Sequence, residues 1–238
     1  MPLTGTYTKK NNDVQASQKA RAFLFYSPSQ NMNTDMNSTN RNRRRPFVKV
    51  CGQTYTGSVD CAVAYGASYI GFNFCLGSPR YVSPSHAAGM RSVNVKRVGV
   101  FQQQEPAEIC RIMRQAGLHL AQLQGGHTPQ DAEKIGPHRV IHRLRVDSGC
   151  CAAEVQEEIR RWAPYCRAFL VEAENAVLLS ELEFPRPWIL SARMGAAQLE
   201  YTLELCCPDG VDFDSCVEAA PGIKSPRRLL QAMRTVRA

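Results

Sequence analysis

From Phe47 onward, short apolar runs alternate with stretches of helical periodicity. The runs "FVKVC", "YIGFNF", "KRVGVF", "LHLAQLQ", "RVIHRLRV", "RAFLVE", "WILS" and "GVDFD" begin near Phe47, Tyr69, Lys96, Leu118, Arg139, Arg167, Trp188 and Gly210. Their length and their β-branched and aromatic content predict strands. Between them, "EPAEICRIMRQAG" carries apolar residues three and four apart and stops at Gly117, and "AAEVQEEIRRWAPY" repeats the pattern. The last such stretch, "SPRRLLQAMRTVRA", opens with a serine cap and a proline at the first helical position. Strands that are apolar throughout, each followed by a helix, predict a parallel sheet covered by helices. Eight is the number that closes such a sheet into a barrel. A doubly wound open sheet is the alternative, but no G-x-G-x-x-G turn follows the first strand. The expected fold is a compact single (β/α)8 TIM barrel over residues 47–238.

Residues 1–46 have a different composition. "NMNTDMNSTNRNRRRP" is rich in Asn and Arg and cannot bury enough apolar surface to offset the cost of ordering the chain. This basic tail is expected to be disordered, and Met32 or Met36 offers an alternative translational start. It carries eight Lys or Arg against Asp13 and Asp35, so most of the net charge of +8 sits outside the expected barrel. The barrel itself therefore gives no reason to expect a nucleic-acid partner. No run approaches the roughly 18 apolar residues of a membrane span, and "AFLFY" is too short for a signal-peptide core. Ten cysteines without a C-x-x-C pair read as reduced thiols of a cytoplasmic protein. His127, His138 and His142 form no ligand set, and no metal site is expected.

In a barrel of this kind the chemistry belongs at the carboxyl ends of the strands, with phosphate held by the loops after strands 7 and 8. That rule selects Cys51 after strand 1, Asn73 to Arg80 after strand 2, and Gln124 with Gly125 after strand 4. It also selects Glu172 at the end of strand 6, Ser191 to Met194 after strand 7, and Asp212 to Glu218 at strand 8. Cys51 taken alone reads first as a small buried filler and only second as a reactive thiol. A thiol and a carboxylate facing one mouth could divide base and acid work between them.

At these residues "KVCG" (49–52), "IGFNFCLGSPRYVSP" (70–84), "VKRVGVF" (95–101), "AQLQG" (121–125) and "GVDFDSCVEAAPGIKSP" (210–226) together resemble phosphoribosylanthranilate isomerase of tryptophan biosynthesis. The matches occur in order, from residue 47 to the C-terminus. The resemblance implies an Amadori rearrangement of a phosphorylated aminoaldose to an aminoketose, with no cofactor. An acid protonates the furanose ring oxygen, the ring opens to a Schiff base, and a base removes the proton on C2′. Cys51 matches the family's general base, and Arg80 matches the arginine that meets the anthranilate carboxylate. Gln124 and Asp212 fall at substrate-binding positions, and Ala192, Arg193, Ser215 and Cys216 at the phosphate cradle. The implied partner is a small phosphorylated substrate, with neither nucleic acid nor membrane, bound by a monomer or homodimer.

Several positions depart from the family pattern. The family's acid is an aspartate where this chain has Glu172, one methylene longer. "ENAVLLSELEFPRPW" joins strands 6 and 7 without a glycine, so a mobile cover over the substrate is expected to be shortened or lost. Ala192 and Arg193 stand where the family has a glycine pair, and Asp214, Ser215 and Cys216 replace small residues. Asp214 would repel a phosphate unless it turns away, whereas Arg193 would supply a cation. Gln124 stands where many relatives carry histidine. These departures define the alternative expectation: a weakened or inactive barrel that still binds a phosphorylated ligand.

Overall fold

The computed structural model describes residues 45–147 and 149–237. The expectation of a disordered tail falls almost wholly on residues 1–44, outside the described residues. Eight strands form a closed, all-parallel barrel in sequence order: β1 (Phe47–Val50), β2 (Tyr69–Asn73), β3 (Lys96–Phe101), β4 (Leu120–Leu123), β5 (Val140–Val146), β6 (Ala168–Ala173), β7 (Trp188–Ser191) and β8 (Gly210–Phe213). A helix follows each strand: α1 (Thr56–Ala64), α2 (Pro84–Gly89), α3 (Pro106–Gln115), α4 (Pro129–Ile135), α5 (Ala152–Trp162), α6 (Ala176–Ser180), α7 (Ala196–Cys206) and α8 (Pro226–Arg237). A two-stranded antiparallel ribbon, β9 (Glu218–Ala220) with β10 (Ile223–Lys224), sits in the β8–α8 connection. None of the described helices is long and apolar enough to cross a membrane. All ten cysteines lie among the described residues, and all are free thiols.

Local chemistry explains the element ends. Four helices, α2, α3, α4 and α8, start on proline, whose fixed φ suits the first turn and whose missing N–H would have no partner there. Thr128 and Asp131 close a reciprocal capping box on α4. Gly117 ends the α3 connection in the left-handed region at φ +62°. The glycine-free β6–β7 segment, in which a shortened cover was expected, holds the one-turn helix α6, whose first amides donate to Asn175 Oδ1.

Two packing layers separate stability from chemistry. Inside the barrel, Val98, Leu120, Ile141, Leu170 and Ile189 close the floor, with Phe47 and Tyr69 packed against them. Gly210 is needed there, because a Cβ would fall 2.4 Å from the Phe47 ring, which ties the first strand to the last. Outside, the strands and helices enclose the main apolar core, which includes Phe72, Phe101, Phe169 and Trp162. His142 belongs to this wall, stacked on Trp162 at 3.7 Å between ring centroids. Burial pushes its imidazole down to about 3, helped by the charge of Arg161. Glu158 lies 3.4 Å away but is itself paired with Arg161, which cancels its pull. Buried Arg97 is satisfied by the carbonyls of Ala87, Met90 and Ala116 and lies over the Phe72 ring.

Candidate active site

The barrel interior changes from apolar to charged toward the carboxyl ends of the strands. On β1, side chains alternate, so Phe47 lies at the floor, Lys49 in the middle and Cys51 at the top. Lys49 sits beside Asp212 in the β1–β8 register. Its Nζ donates to both carboxylate oxygens, at 2.9 and 3.0 Å, and neither side chain is more than 5 % exposed. Burial works against both charges. Even so, Asp212 and Cys51 hold the Lys49 ammonium above its usual range, while burial leaves Asp212 raised. With both oxygens within 3.0 Å of the ammonium, the charged pair is the form the geometry supports.

Cys51 lies above this pair. Its sulfur occupies space left by Gly71 on β2, where a Cβ would come within 2.6 Å of Sγ. Burial pushes the thiol up to about 12; Lys49 opposes that rise, and Asp212 and Asp214 add to it. Gly52 then turns the chain with φ +73°, and a Cβ there would fall 2.7 Å from Asp214 Oδ1 and 2.8 Å from Arg80 Cδ. The Arg80 side chain therefore packs against the turn directly after Cys51, at the same carboxyl end of the barrel. Arg80 Nε and Nη2 form a fork on Glu218 at 2.9 and 2.6 Å. Asp214 lies 3.3 Å from Arg80 Nε and 3.2 Å from Lys224 Nζ, and Lys224 also donates to Glu218 at 2.7 Å. Burial raises the Glu218 carboxyl, but hydrogen bonds from Arg80 and Lys224 outweigh it and leave the group below its usual range. Asp214, expected as a repellent charge, is thus paired with two cations that it shares with Glu218.

The opposite side carries a second cluster. Arg143 on β5 donates to Glu172 Oε2 at 2.7 Å and to the Gln124 carbonyl at 3.2 Å. Arg193 reaches the same Glu172 oxygen at 3.4 Å, although its side chain is 65 % exposed. Gln124 Nε2 points to Cys75 Sγ at 3.6 Å. A cleft of about 270 Å³ is lined by Glu172, Arg145, Arg193, Met194 and Gln198. A larger hollow along α5 lies on the outer face of the barrel.

Two expected roles change with this geometry. Asp212, expected at a substrate-binding position, is only 4 % exposed and its carboxylate is taken by Lys49. Ala192 was expected in the phosphate cradle, but it is buried and its N–H bonds the Asp212 carbonyl at 2.9 Å. The cause is that β7–β8 pairing continues one residue past the strand. The Arg193 amide is likewise bonded to the Ser191 carbonyl at 3.0 Å. Ser215 and Cys216 are exposed in a 3-10 turn after β8. Lys49, Arg143, Glu218 and Lys224 had no assigned role in the sequence. A lysine amid "FVKV" and arginines two apart in "HRLR" were the available signals.

A closed parallel barrel whose charged groups gather at the carboxyl ends of its strands defines the class: a (β/α)8 protein with a charged mouth. The family model described as N-(5'phosphoribosyl)anthranilate (PRA) isomerase matches residues 48–234. The chain is 40 % identical over 197 residues to an N-(5'-phosphoribosyl)anthranilate isomerase of Desulfovibrio desulfuricans, covering 79 % of this chain and 93 % of the relative. A phosphoribosyl anthranilate isomerase structure from Thermus thermophilus is similar at 31 % identity and TM-score 0.68, over 80 % of this chain and 98 % of that one. Another, in complex with reduced 1-(o-carboxyphenylamino)-1-deoxyribulose 5-phosphate, has 26 % identity and TM-score 0.72, over 81 % and 98 %. The chain belongs to the phosphoribosylanthranilate isomerase family.

Proposed function

We propose that this chain converts N-(5'-phosphoribosyl)anthranilate to 1-(2-carboxyphenylamino)-1-deoxyribulose 5-phosphate, the Amadori step of tryptophan biosynthesis. The observation that carries the reading is the placement of Cys51 and Arg80 at the same carboxyl end of the barrel, joined through the left-handed turn at Gly52 in a chain matched to the family over residues 48–234. A binding-only barrel is not favoured, because the relatives matched over nearly their whole length are named as isomerases.

Cys51 acts as the base that removes the C2′ proton. Its sulfur needs a neighbour that favours the thiolate, and Lys49 is that neighbour, since its charge and hydrogen bond pull against the burial of the thiol. Asp212 acts through Lys49 by holding the ammonium under the sulfur. Arg80 receives the anthranilate carboxylate through Nη1, the nitrogen its Glu218 fork leaves over. Glu172 donates the proton to the ring oxygen from the opposite side of the mouth, and Gln124 borders the substrate beside it. The phosphate seat is assigned to the α7 N-terminus at Gly195–Ala197, where a Cβ at Gly195 would meet nothing within 4 Å, together with Ser215 and Cys216. Arg193 lies between this seat and Glu172. The catalytic unit is residues 47–238, working in the cytoplasm.

The full chain expressed in a tryptophan auxotroph lacking this isomerase should restore growth without tryptophan. Soluble, folded protein that fails to rescue, and that shows no turnover of the substrate in vitro, rejects the proposal.

A further inference from the structure

Glu172 is one methylene longer than the aspartate its position calls for, and a misplacement of about 1 Å can cost on the order of a hundredfold in rate. The structure holds this longer side chain in an asymmetric way. Both cations that touch the carboxylate take the same oxygen: Arg143 Nη2 lies 2.7 Å from Oε2 and Arg193 Nη1 lies 3.4 Å from Oε2. Oε1 has no partner among the described residues. The two arginines are not equivalent. Arg193 is 65 % exposed in a loop, whereas the Arg143 side chain is 18 % exposed on a barrel strand. Arg143 is also fixed at a second point, the Gln124 carbonyl at 3.2 Å, and its Nε is buried without a partner. A planar guanidinium tied at two points cannot swing with the carboxylate; it sets where the carboxylate sits.

We propose that Arg143 is the positioning residue for Glu172: it clamps Oε2 from the barrel wall, offsets the extra methylene, and leaves Oε1 alone to carry the proton toward the substrate. This rests on the isomerase reading given above. In the acid form, Oε2 is the carbonyl-like oxygen accepting from Arg143 and Oε1 bears the hydrogen. On transfer the Oε1–H bond breaks, the ring oxygen gains the proton as its bond to C1′ opens, and the electron pair stays on Glu172. That new negative charge forms beside a cation already in place, so the site need not reorganise at the moment of transfer.

The test uses the full chain with Arg143→Met, which keeps the bulk and removes the fork, and Arg143→Lys, which keeps a cation. Arg143→Met should lower kcat by about 10- to 100-fold with KM within about twofold. Arg143→Lys should recover part of that loss. In a Glu172→Ala background, Arg143→Met should cost nothing further. A loss that appears in KM, or that persists undiminished in the Glu172→Ala background, overturns the proposal. Crystal structures of both variants give a readout that does not depend on turnover. The Glu172 carboxyl should shift or split into several positions in Arg143→Met and keep its place in Arg143→Lys. A carboxyl that stays in place in Arg143→Met overturns the clamp. If the wild-type chain proves inactive, the isomerase reading fails while this structural arm still decides whether Arg143 sets the position of Glu172.

Discussion

On the β1–β2–β8 side of the mouth, two cations and two carboxylates interlock. Arg80 and Lys224 each touch both Asp214 and Glu218, and Lys49 and Asp212 form a sealed pair below them. On the β5–β6–β7 side, a single carboxylate, Glu172, meets two arginines through one oxygen, and one of those arginines stands mostly in solvent. The first half holds the motifs "KVCG", "GSPR" and "VEAAPGIK" that carry the family resemblance, together with the departures Asp214 to Cys216. The second half holds the departures Glu172, Ala192 and Arg193. Among Arg80, Lys224, Asp214 and Glu218 each charge has two partners, so changing one residue strands the others. Where an exposed arginine leans on a carboxylate, one residue can be replaced at little cost.

This contrast can be broken or sharpened by substitution, starting with the largest effect. Cys51→Ser should lower kcat by about 10²- to 10⁴-fold, the usual worth of a positioned acid–base group, with the thermal unfolding curve little changed. Retained turnover would take the thiol out of the reaction. Lys49→Met leaves Asp212 buried without its partner and should cost about 3–5 kcal/mol in denaturant unfolding. An equal cost for Arg193→Met in the other half would erase the contrast, because an exposed pair is worth about 0–1 kcal/mol.

The pH profile of the free protein follows from Cys51. Its pKa is raised to about 12, so the active thiolate is the minor form at neutral pH and its fraction grows as pH rises. The rate of Cys51 alkylation by a neutral reagent should therefore climb by about tenfold per pH unit through the neutral range. A plateau near pH 7 would mean that the pocket relaxes around the thiolate. Gly52→Ala imposes a side chain at φ +73°, beside Asp214 and Arg80. It should cost about 1–3 kcal/mol in stability and raise KM by moving the arginine. Arg193→Met should give the smallest change in unfolding, within about 0.5 kcal/mol.

Much of this architecture was legible in the letters. The strands begin at or within two residues of the expected positions, because each apolar run is bounded by Gly, Pro or polar residues. The small errors have a common form: Leu118, Arg139 and Arg167 still belong to the incoming turns, and β4, β5 and β6 start at Leu120, Val140 and Ala168. The rim residues Cys51 and Arg80 were legible because their neighbours repeat a family motif. Lys49 and Arg143 were not, for a physical reason. A barrel strand is covered on both faces, so alternation does not say which face looks inward. A charge on such a strand reads as an edge defect until its partner across the barrel is known. That the Ala192 amide is used in β7–β8 pairing was not legible, because no local pattern says where strand pairing stops and amides become free.

The pocket that Gly71 leaves for the Cys51 sulfur has a practical consequence for chemical labelling. Cys151, Cys207 and Cys216 are exposed, and Cys216→Ser removes the one at the proposed phosphate seat, whereas Cys51 is enclosed and mostly protonated. An alkylating reagent should consume those outer thiols first. Inactivation that trails the first equivalents of reagent is what an enclosed nucleophile would produce, and a bound substrate analogue should slow only that late phase.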